Sequence, residues 1–378
     1  MEAPSFMPYR GDAVSTEQAY FWIDSDAGLE AAANEWRGVI GIDTEFIRTD
    51  TFYPIPGLYQ IANANDVWLI DPLVIENWGP LLNVLNDART TKVMHACSED
   101  LELLSYHLGV HPNNLFDTQF AYAFLSEHFS TSYANLAKRA LDVNLGKHQT
   151  RSNWLRRPLS DEQLRYASED VAYLIPLFEK LSSRLKATGR WQWFWEDMAE
   201  HGRYQPNDPQ TYFASVKKAW KLEGQQLAAL RALCAWREQQ AMRENVPRSR
   251  VVWDEHLFVF ATYTELQRST IEEMLPRPVA RRYGDDIERA HRDGMASAVE
   301  APLPRPLTQG QGSILKRLRE TARDEASKLG IAPELLARKR SVEKCFRHFH
   351  TNGELSPEYR GWRYALLGDA FLQELNRT

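Results

Sequence analysis

The sequence predicts an α/β domain with a mixed sheet, followed by two all-α blocks. Three observations support this fold class. Strand-like and helix-like segments alternate over residues 20–200, and two of the early strands lie close enough in sequence to form a hairpin. Prolines interrupt the chain at two later points, and the apolar residues beyond each interruption recur at helical spacing.

The first domain is expected over residues 16–203, after an N-terminal tail at 1–15. Its strands are predicted at 20–23, 39–46, 58–62, 67–70 and 92–95. Its helices are predicted at 25–36, from residue 98, after residue 117 and at 160–185. Ser160 is a suitable N-cap for the last and longest of these helices, and the acidic side chains at positions 161 and 162 favour its first turn.

Two helical blocks follow, each after a predicted linker. The first linker, 204–216, contains Pro206 and Pro209, and the first block covers 217–296. One helical face of that block carries Leu227, Leu230, Cys234 and Ala241. The second break in the chain holds Pro302, Pro304, Pro306, Gly310 and Gly312. We therefore expect a linker at 297–307 and a second block at 308–378.

Composition narrows the class of protein. Of the 378 residues, 43% are hydrophobic and 25% are charged, which is typical of a soluble globular protein. The sequence contains no run of about eighteen apolar residues, so no membrane span is predicted, and no signal-peptide pattern is evident. Cys97, Cys234 and Cys345 lie too far apart for a CxxC metal site, and their odd number argues against a disulfide framework. These features predict a cytoplasmic protein, and the absence of a coiled-coil seam favours a monomer.

Charge is distributed unevenly along the chain. Residues 1–203 carry 17 Lys and Arg against 28 Asp and Glu, whereas residues 204–378 carry 28 against 23. The net charge is thus −11 in the first part and +5 in the second. An acidic part suited to metal ions is followed by a basic part that could attract a polyanion, although a simple difference between domains would give the same numbers.

Four carboxylates and one tyrosine carry the predicted chemistry. They are Asp43, Glu45, Asp100, Tyr166 and Asp170. The patterns Asp-x-Glu and Tyr-x-x-x-Asp each occur three times, so neither is informative alone. Residues two apart share a face of a strand, and residues four apart share a face of a helix. Of the three Asp-x-Glu pairs, only the pair at 43 and 45 lies in a predicted strand. Of the three Tyr-x-x-x-Asp pairs, only the pair at 166 and 170 lies within a predicted helix.

Carboxylates that converge repel one another, so such a site is stable only with divalent cations among them. An oxygen-only set of ligands suits Mg²⁺ or Mn²⁺. Two such ions held together are a known means of cutting phosphodiester bonds. The sequence therefore predicts a two-metal phosphodiesterase site.

The three segments resemble the motifs of a known family. Gly41-Ile-Asp-Thr-Glu-Phe46, His95-Ala-Cys-Ser-Glu-Asp100 and Tyr166-Ala-Ser-Glu-Asp170 are similar to the exonuclease motifs of the DEDD 3′→5′ exonucleases. The tyrosine in the third motif places the chain with the DEDDy subgroup. The stretch 46–54 and Asp117-Thr118 resemble bacterial ribonuclease D, and the helical blocks resemble its paired HRDC domains. This resemblance implies a ribonuclease H-like exonuclease domain followed by two HRDC domains.

The resemblance also implies roles for these residues. Asp43, Glu45 and Asp170 would ligate one metal ion, and Asp43 would bridge to a second ion near Asp100. Tyr166 would orient the attacking water, because a phenol with an ordinary pKa near 10 is a poor base at neutral pH. The substrate would be RNA with a free 3′ end, tRNA precursors above all, and the products nucleoside 5′-monophosphates.

Candidate RNA contacts are weaker predictions. Thr44, between two ligands, could approach the terminal nucleotide through its backbone. Basic side chains that could contact phosphates include Lys147, His148, Arg151, Arg243, Arg248, Arg250, Lys316, Arg317, Arg319, Arg338, Lys339 and Arg340.

Two alternatives stay open at the level of sequence. A 3′→5′ DNA exonuclease of the Werner or proofreading type would carry the same five residues. A non-catalytic HRDC-type RNA-binding protein would lack at least one of the ligands, and all five positions are filled here.

Overall fold

The computed structural model describes residues 20–145 and 152–377. By their contacts these residues form two compact units. The first comprises residues up to Ile47, Pro56–Tyr204 and the segment from Leu307 onward, and the second comprises Arg48–Ile55 and Gln205–Pro306. Lys147, His148 and Arg151 lie outside the described residues, as does the predicted tail at 1–15.

A six-stranded mixed sheet forms the centre of the first unit. Its strands are β1 (Tyr20–Ile23), β2 (Val39–Ile47), β3 (Ile55–Ala62), β4 (Val67–Ile70), β5 (Thr91–Met94) and β6 (Leu115–Asp117). The spatial order is β1-β4-β3-β2-β5-β6. Strands β3 and β4 are antiparallel, as expected of the predicted hairpin, while β1–β4, β2–β5 and β5–β6 are parallel.

The central strands are apolar because helices cover the sheet. Ile40, Ile42, Leu58, Ile61 and Val93 are all almost fully buried. The helices of this part are α1 (Asp26–Ala33), α2 (Gly79–Asn86), α3 (Ser98–Leu108), α4 (Thr118–Ala123), α5 (Tyr133–Leu141), α6 (Asp161–Ala172), α7 (Leu174–Ala187) and α8 (Trp191–His201).

The single long helix predicted at 160–185 is two helices in the structure. Ser160 caps the first, α6, and forms a capping box with Gln163 as expected. Tyr173 leaves the helical conformation and separates α6 from α7. Pro176 accounts for part of this break, because a proline has no amide to donate to the carbonyl four residues back.

The second unit is helical. Its helices are α9 (Gly224–Glu244), α10 (Arg248–Val251), α11 (Asp254–Phe260), α12 (Arg268–Met274) and α13 (Arg277–Ala296). The predicted apolar face of α9 is buried in a separate core of this unit. Helix α9 ends at Glu244, and Asn245 caps it directly before Val246-Pro247, a pair at which a helix is expected to stop. The Asn245 side chain accepts the amides of Phe52 and Tyr53 at 3.1 and 3.0 Å.

The C-terminal block packs within the first unit. It contains α14 (Gln309–Leu329), α15 (Pro333–Leu336), α16 (Lys339–Asn352) and α17 (Gly361–Leu375). Gly310 and Gly312, which the sequence suggested as part of a break, lie in the first turn of α14, where the Thr308–Gln311 capping box starts the helix. Arg363 of α17 donates to Asp197 of α8 at 2.7 Å, and the ring of Trp362 stacks on Trp193. Whether this block counts as a second HRDC domain stays a prediction.

Across the described ranges of both units, every helix is too short or too polar to cross a membrane.

Candidate active site

Strand β2 and helix α3 carry three of the four motif carboxylates. Asp43 and Glu45 occupy alternate positions of β2 and project from the same face of the strand. Asp100 lies in the first turn of α3 and is buried, with only 7% of its surface exposed. The hydroxyl of Thr44, between the two strand carboxylates, donates to the Asp100 carboxylate. Thr44 thus fixes the orientation of Asp100; an approach of its backbone to RNA stays a prediction.

Helix α6 brings Tyr166 and Asp170 to the same place. The two residues are four apart and share a helical face, as predicted. The end of this helix lies against β2 at Gly41, where a Cβ would lie only 3.0 Å from that of Leu174 and 3.2 Å from the Val171 carbonyl. Glycine at this position therefore allows the helix backbone to approach the strand two residues before Asp43.

The three segments meet as one group of carboxylates. Ligand oxygens of Asp43, Glu45 and Asp170 all lie within 4.8 Å of one another. Asp100 is close enough to repel Asp43 and Glu45 electrostatically. The structure thus brings together all four carboxylates that the sequence singled out.

The pKa values of these four carboxyl groups are strongly raised. Burial, with repulsion from Asp170 and Asp100, raises the pKa of Glu45 to about 9. Burial, followed by repulsion from the other three carboxylates, raises the pKa of Asp43 well above its ordinary value. Burial also raises the pKa of Asp100 and of Asp170 to about 7, although hydrogen bonds from Thr44 and Tyr166 oppose the two shifts. Cations would remove this cost by compensating the charge.

The donor set fits divalent cations that prefer oxygen. Asp43, Glu45 and Asp170 can each offer one carboxylate oxygen to a single ion, and Asp100 lies beside them on α3. No nitrogen or sulfur atom belongs to this group, which suits Mg²⁺ or Mn²⁺ better than zinc.

A partly buried clamp centred on Arg157, which the sequence did not predict, holds the loop beside Tyr166. Arg157 donates to Asp71 at 2.6 Å and to the carbonyls of Trp154 and Gly57, each at 2.8 Å. A Cβ on Gly57 would lie 2.5 Å from that of Trp154, so the loop rests directly on β3. The Trp154 ring lies 6.1 Å from the ring of Tyr166. No sequence motif announces this clamp, because its members come from three distant segments.

A second group of possible ligands has a structural explanation. Donor atoms of Cys97, Asp117 and His201 lie within 4.8 Å of one another. The Asp117 oxygens already accept four backbone amides, of residues 96, 97, 119 and 120, and the His201 ring nitrogen at 3.1 Å. Burial raises the pKa of Asp117, but the hydrogen bond and charge of His201, the charge of His95 and the Phe120 amide more than offset it and leave the value at about 2. This side chain caps α4 and joins it to α8.

Two predicted RNA contacts lie in the second unit. Arg248 pairs with the buried Glu238 at 2.7 Å and covers the ring of Phe52, while Arg250 pairs with Asp50. Part of their charge is therefore already compensated within the protein. Their role in binding RNA stays a prediction, as does that of Lys147 and Arg151.

The chain is similar to known proteins along most of its length. A family model described as a 3′→5′ exonuclease matches residues 20–186, and an HRDC domain model matches residues 226–290. Ribonuclease D of Pseudomonas paraeruginosa is 42% identical over 94% of this chain and 97% of its own. Ribonuclease D of Haemophilus influenzae is 31% identical over 90% of this chain and 88% of its own.

A solved structure shows the same similarity in three dimensions. The crystal structure of Escherichia coli RNase D, described as an exoribonuclease involved in structured RNA processing, superposes with a TM-score of 0.87 at 30% identity. The match covers 95% of this chain and 99% of the other.

Proposed function

Because the chain belongs to the ribonuclease D family and is a 3′→5′ exoribonuclease, we propose that it cleaves RNA with two divalent metal ions held by its four motif carboxylates. The single observation that supports this most strongly is the convergence of Asp43, Glu45 and Asp170 within 4.8 Å, with Asp100 beside them. Asp43, Glu45 and Asp170 would hold one ion, and Asp43 with Asp100 would hold the other. Bound ions supply a lowered pKa for the attacking water and charge stabilisation for the leaving 3′-oxygen.

The protein's own groups orient the reactants. Burial and the neighbouring carboxylates raise the pKa of Tyr166 beyond its ordinary value, so the phenol stays protonated at neutral pH. Its hydroxyl therefore acts as a hydrogen-bond donor rather than as a base. In the structure this hydroxyl bonds to Asp170, a position from which it can orient a water molecule next to the carboxylates. Attack on the terminal phosphodiester releases a nucleoside 5′-monophosphate.

Replacing Tyr166 with phenylalanine tests this role. We expect kcat to fall about tenfold to a hundredfold, the kinetic equivalent of one hydrogen bond to a charged group. The Mg²⁺ concentration for half-maximal activity should stay as in the wild type, because the carboxylates are intact. Tyr364→Phe is a suitable control, since this tyrosine is 47% exposed on the C-terminal block. A Tyr166→Phe variant with wild-type kcat would refute the assignment.

The substrates we propose are structured RNAs with short single-stranded 3′ tails, tRNA precursors in particular. The relative from Escherichia coli, which is described as acting in structured RNA processing, supports this choice. The net charge of +5 over residues 204–378 would attract phosphates without reading sequence. We propose that the enzyme acts as a monomer in the cytoplasm, where its three free, buried cysteines would stay reduced.

A time course on a 3′-extended tRNA, with a matched DNA strand in parallel, tests the proposed function. We expect loss of nucleotides from the 3′ end with Mg²⁺ or Mn²⁺, arrest near the mature end, and no reaction with a chelator. DNA should be degraded much more slowly. Equal rates on RNA and DNA would favour the DNA exonuclease alternative, and activity in the chelator would exclude the two-metal mechanism.

A further inference from the structure

The break between α6 and α7 lies directly after a proposed metal ligand. Asp170 occupies the last turn of α6, and Tyr173, three residues later, has φ −107° and ψ 4°. In an uninterrupted helix the Tyr173 amide would donate to the carbonyl of Glu169, four residues back. Pro176 removes a further such bond, the one to the carbonyl of Ala172, so the helix is weakened at this point.

The hydroxyl of Tyr133 is inserted into this break. It accepts the Tyr173 amide at 3.1 Å and donates to the Glu169 carbonyl, also at 3.1 Å. The oxygen therefore stands between the two groups that a continuous helix would join directly. The Tyr173 amide also points towards the Val171 carbonyl, two residues back, which is too close in sequence for a helical bond. A side chain inserted into the ladder of backbone hydrogen bonds is a recognised cause of a helix kink.

The Tyr133 ring is held firmly in this position. Tyr133 begins α5, immediately after Ser132 at the helix N-cap. Its ring packs edge-on against that of His95, with 5.5 Å between centroids. Nδ1 of His95 in turn bonds to the Thr118 hydroxyl at 2.8 Å. The inserted hydroxyl is thus linked, through partly buried contacts, to the residue that follows β5 and to α4.

The consequence falls on the last turn of α6. Gly41 lets the Val171 carbonyl and Leu174 approach β2, so the break itself rests on the strand that carries Asp43 and Glu45. A change in the helix path at Glu169 and Tyr173 would move Asp170 relative to these two ligands. Tyr166, one turn earlier, would move less.

We propose that Tyr133 is a positioning residue of the nuclease: its hydroxyl holds the α6–α7 break open and thereby aims Asp170 at Asp43 and Glu45. This inference rests on the proposed function, because it takes Asp170 to be a metal ligand. Tyr133 itself makes no contact with substrate in this scheme. Its effect passes entirely through the backbone of residues 169–173.

Replacement of Tyr133 by phenylalanine tests the proposal, since it removes only the hydroxyl. Glu169 and Tyr173 can then bond directly, which straightens the helix and displaces Asp170. We expect kcat on a 3′-tailed RNA to fall about tenfold, as for a small misplacement of a catalytic group. The Mg²⁺ concentration for half-maximal activity should rise several-fold, and KM for RNA should not change. This combination distinguishes the variant from Tyr166→Phe, in which the Mg²⁺ requirement stays constant.

Tyr359→Phe is the matched control. Tyr359 is buried in the same unit, and within the described part of the chain its hydroxyl finds no hydrogen-bond partner. Its removal should leave kcat and the Mg²⁺ requirement unchanged.

Each of the following results would overturn the inference. One is a Tyr133→Phe variant that is less stable to heat but has wild-type kcat and Mg²⁺ dependence, which would show a structural role alone. Another is a rise in KM with an unchanged Mg²⁺ requirement, which would place Tyr133 on the RNA path. An Asp170→Asn variant with full activity would show that Asp170 is not a metal ligand and would so remove the premise of the inference. An inactive Asp170→Asn beside a wild-type-like Tyr133→Phe would overturn the positioning role and leave the proposed function standing.

Discussion

An Asp43→Asn variant is expected to lose exonuclease activity by at least about a thousandfold, because metal ions contribute several kcal/mol of transition-state stabilisation and each 1.36 kcal/mol is tenfold in rate. Asp43 is the strongest choice among the proposed ligands. Burial and repulsion from all three acidic neighbours, Asp100, Asp170 and Glu45, raise its pKa, which puts it at the centre of the group. Asparagine keeps the shape of the side chain but cannot carry the negative charge that would bridge two cations.

Single-turnover hydrolysis of a 3′-tailed RNA at saturating Mg²⁺ measures this loss. In the chelator the variant should be at least as stable to heat as the wild type, since a buried, repelled carboxyl has been removed. Glu99→Gln is the matched control: it removes an exposed acidic charge from the same motif as Asp100. Retention of wild-type activity in Asp43→Asn would mean that the catalytic centre lies elsewhere.

The metal-free protein is expected to become less stable as the pH rises from about 5 to about 8. Burial and mutual repulsion raise the pKa of Glu45 to about 9 and the pKa values of Asp100 and Asp170 to about 7. In the unfolded chain these groups have ordinary pKa values near 4. At pH values between the unfolded pKa near 4 and the raised folded pKa values, the folded protein retains protons that the unfolded chain has released. The free energy of unfolding therefore falls as the pH rises, and the full contribution is present only below about pH 4.

The size of this effect is on the order of 4 kcal/mol, because one carboxyl whose pKa shifts by about three units contributes that much. The four carboxyl groups together are not expected to contribute four times this free energy, because they titrate as a coupled set. Urea denaturation in a chelator at several pH values measures the slope. Saturating Mg²⁺ should restore most of the loss at about pH 8, since cations bind the deprotonated carboxylates.

An Asp43→Asn/Asp100→Asn double variant is the control for the origin of the slope. It should lose much of the pH dependence and gain little stability from Mg²⁺. If the wild type shows the same stability across this range in the chelator, the carboxylates do not repel one another in the metal-free fold as proposed.

Local patterns in the sequence were sufficient for most of the sheet. The strands at 20–23 and 67–70 form with the predicted bounds, and β2 extends the prediction by one residue. Their apolar runs are long enough to be recognised because both faces of a covered sheet are buried. The segment 115–117 was expected to lead into a helix, but it is itself β6, three residues long. So short a strand depends on its pairing with β5, which no local pattern reveals.

Two pairs of motif residues, Asp43 with Glu45 and Tyr166 with Asp170, were predicted from local patterns, because alternation in a strand and spacing in a helix are local properties. Asp100 was predicted from the family motif that contains it. The Arg157–Asp71 clamp and the Tyr133 hydroxyl were not. Each joins residues far apart in the chain, 86 positions for the clamp and 40 for the bond between Tyr133 and Tyr173. Neither residue type is unusual at its position, so no local signal marks them.

The sequence by itself determined which side chains we propose for the chemistry and which elements present them. Strand β2 must present Asp43 and Glu45 together, and helix α6 must present Tyr166 with Asp170, whatever surrounds them. Only the tertiary structure decided how these elements meet. Gly41 sets the distance between helix and strand, Thr44 bonds to Asp100, and the Tyr133 hydroxyl bonds to the backbone at the break that follows Asp170. Distances and angles between the carboxylates come from packing, because a periodic pattern fixes the face of an element but not its neighbour.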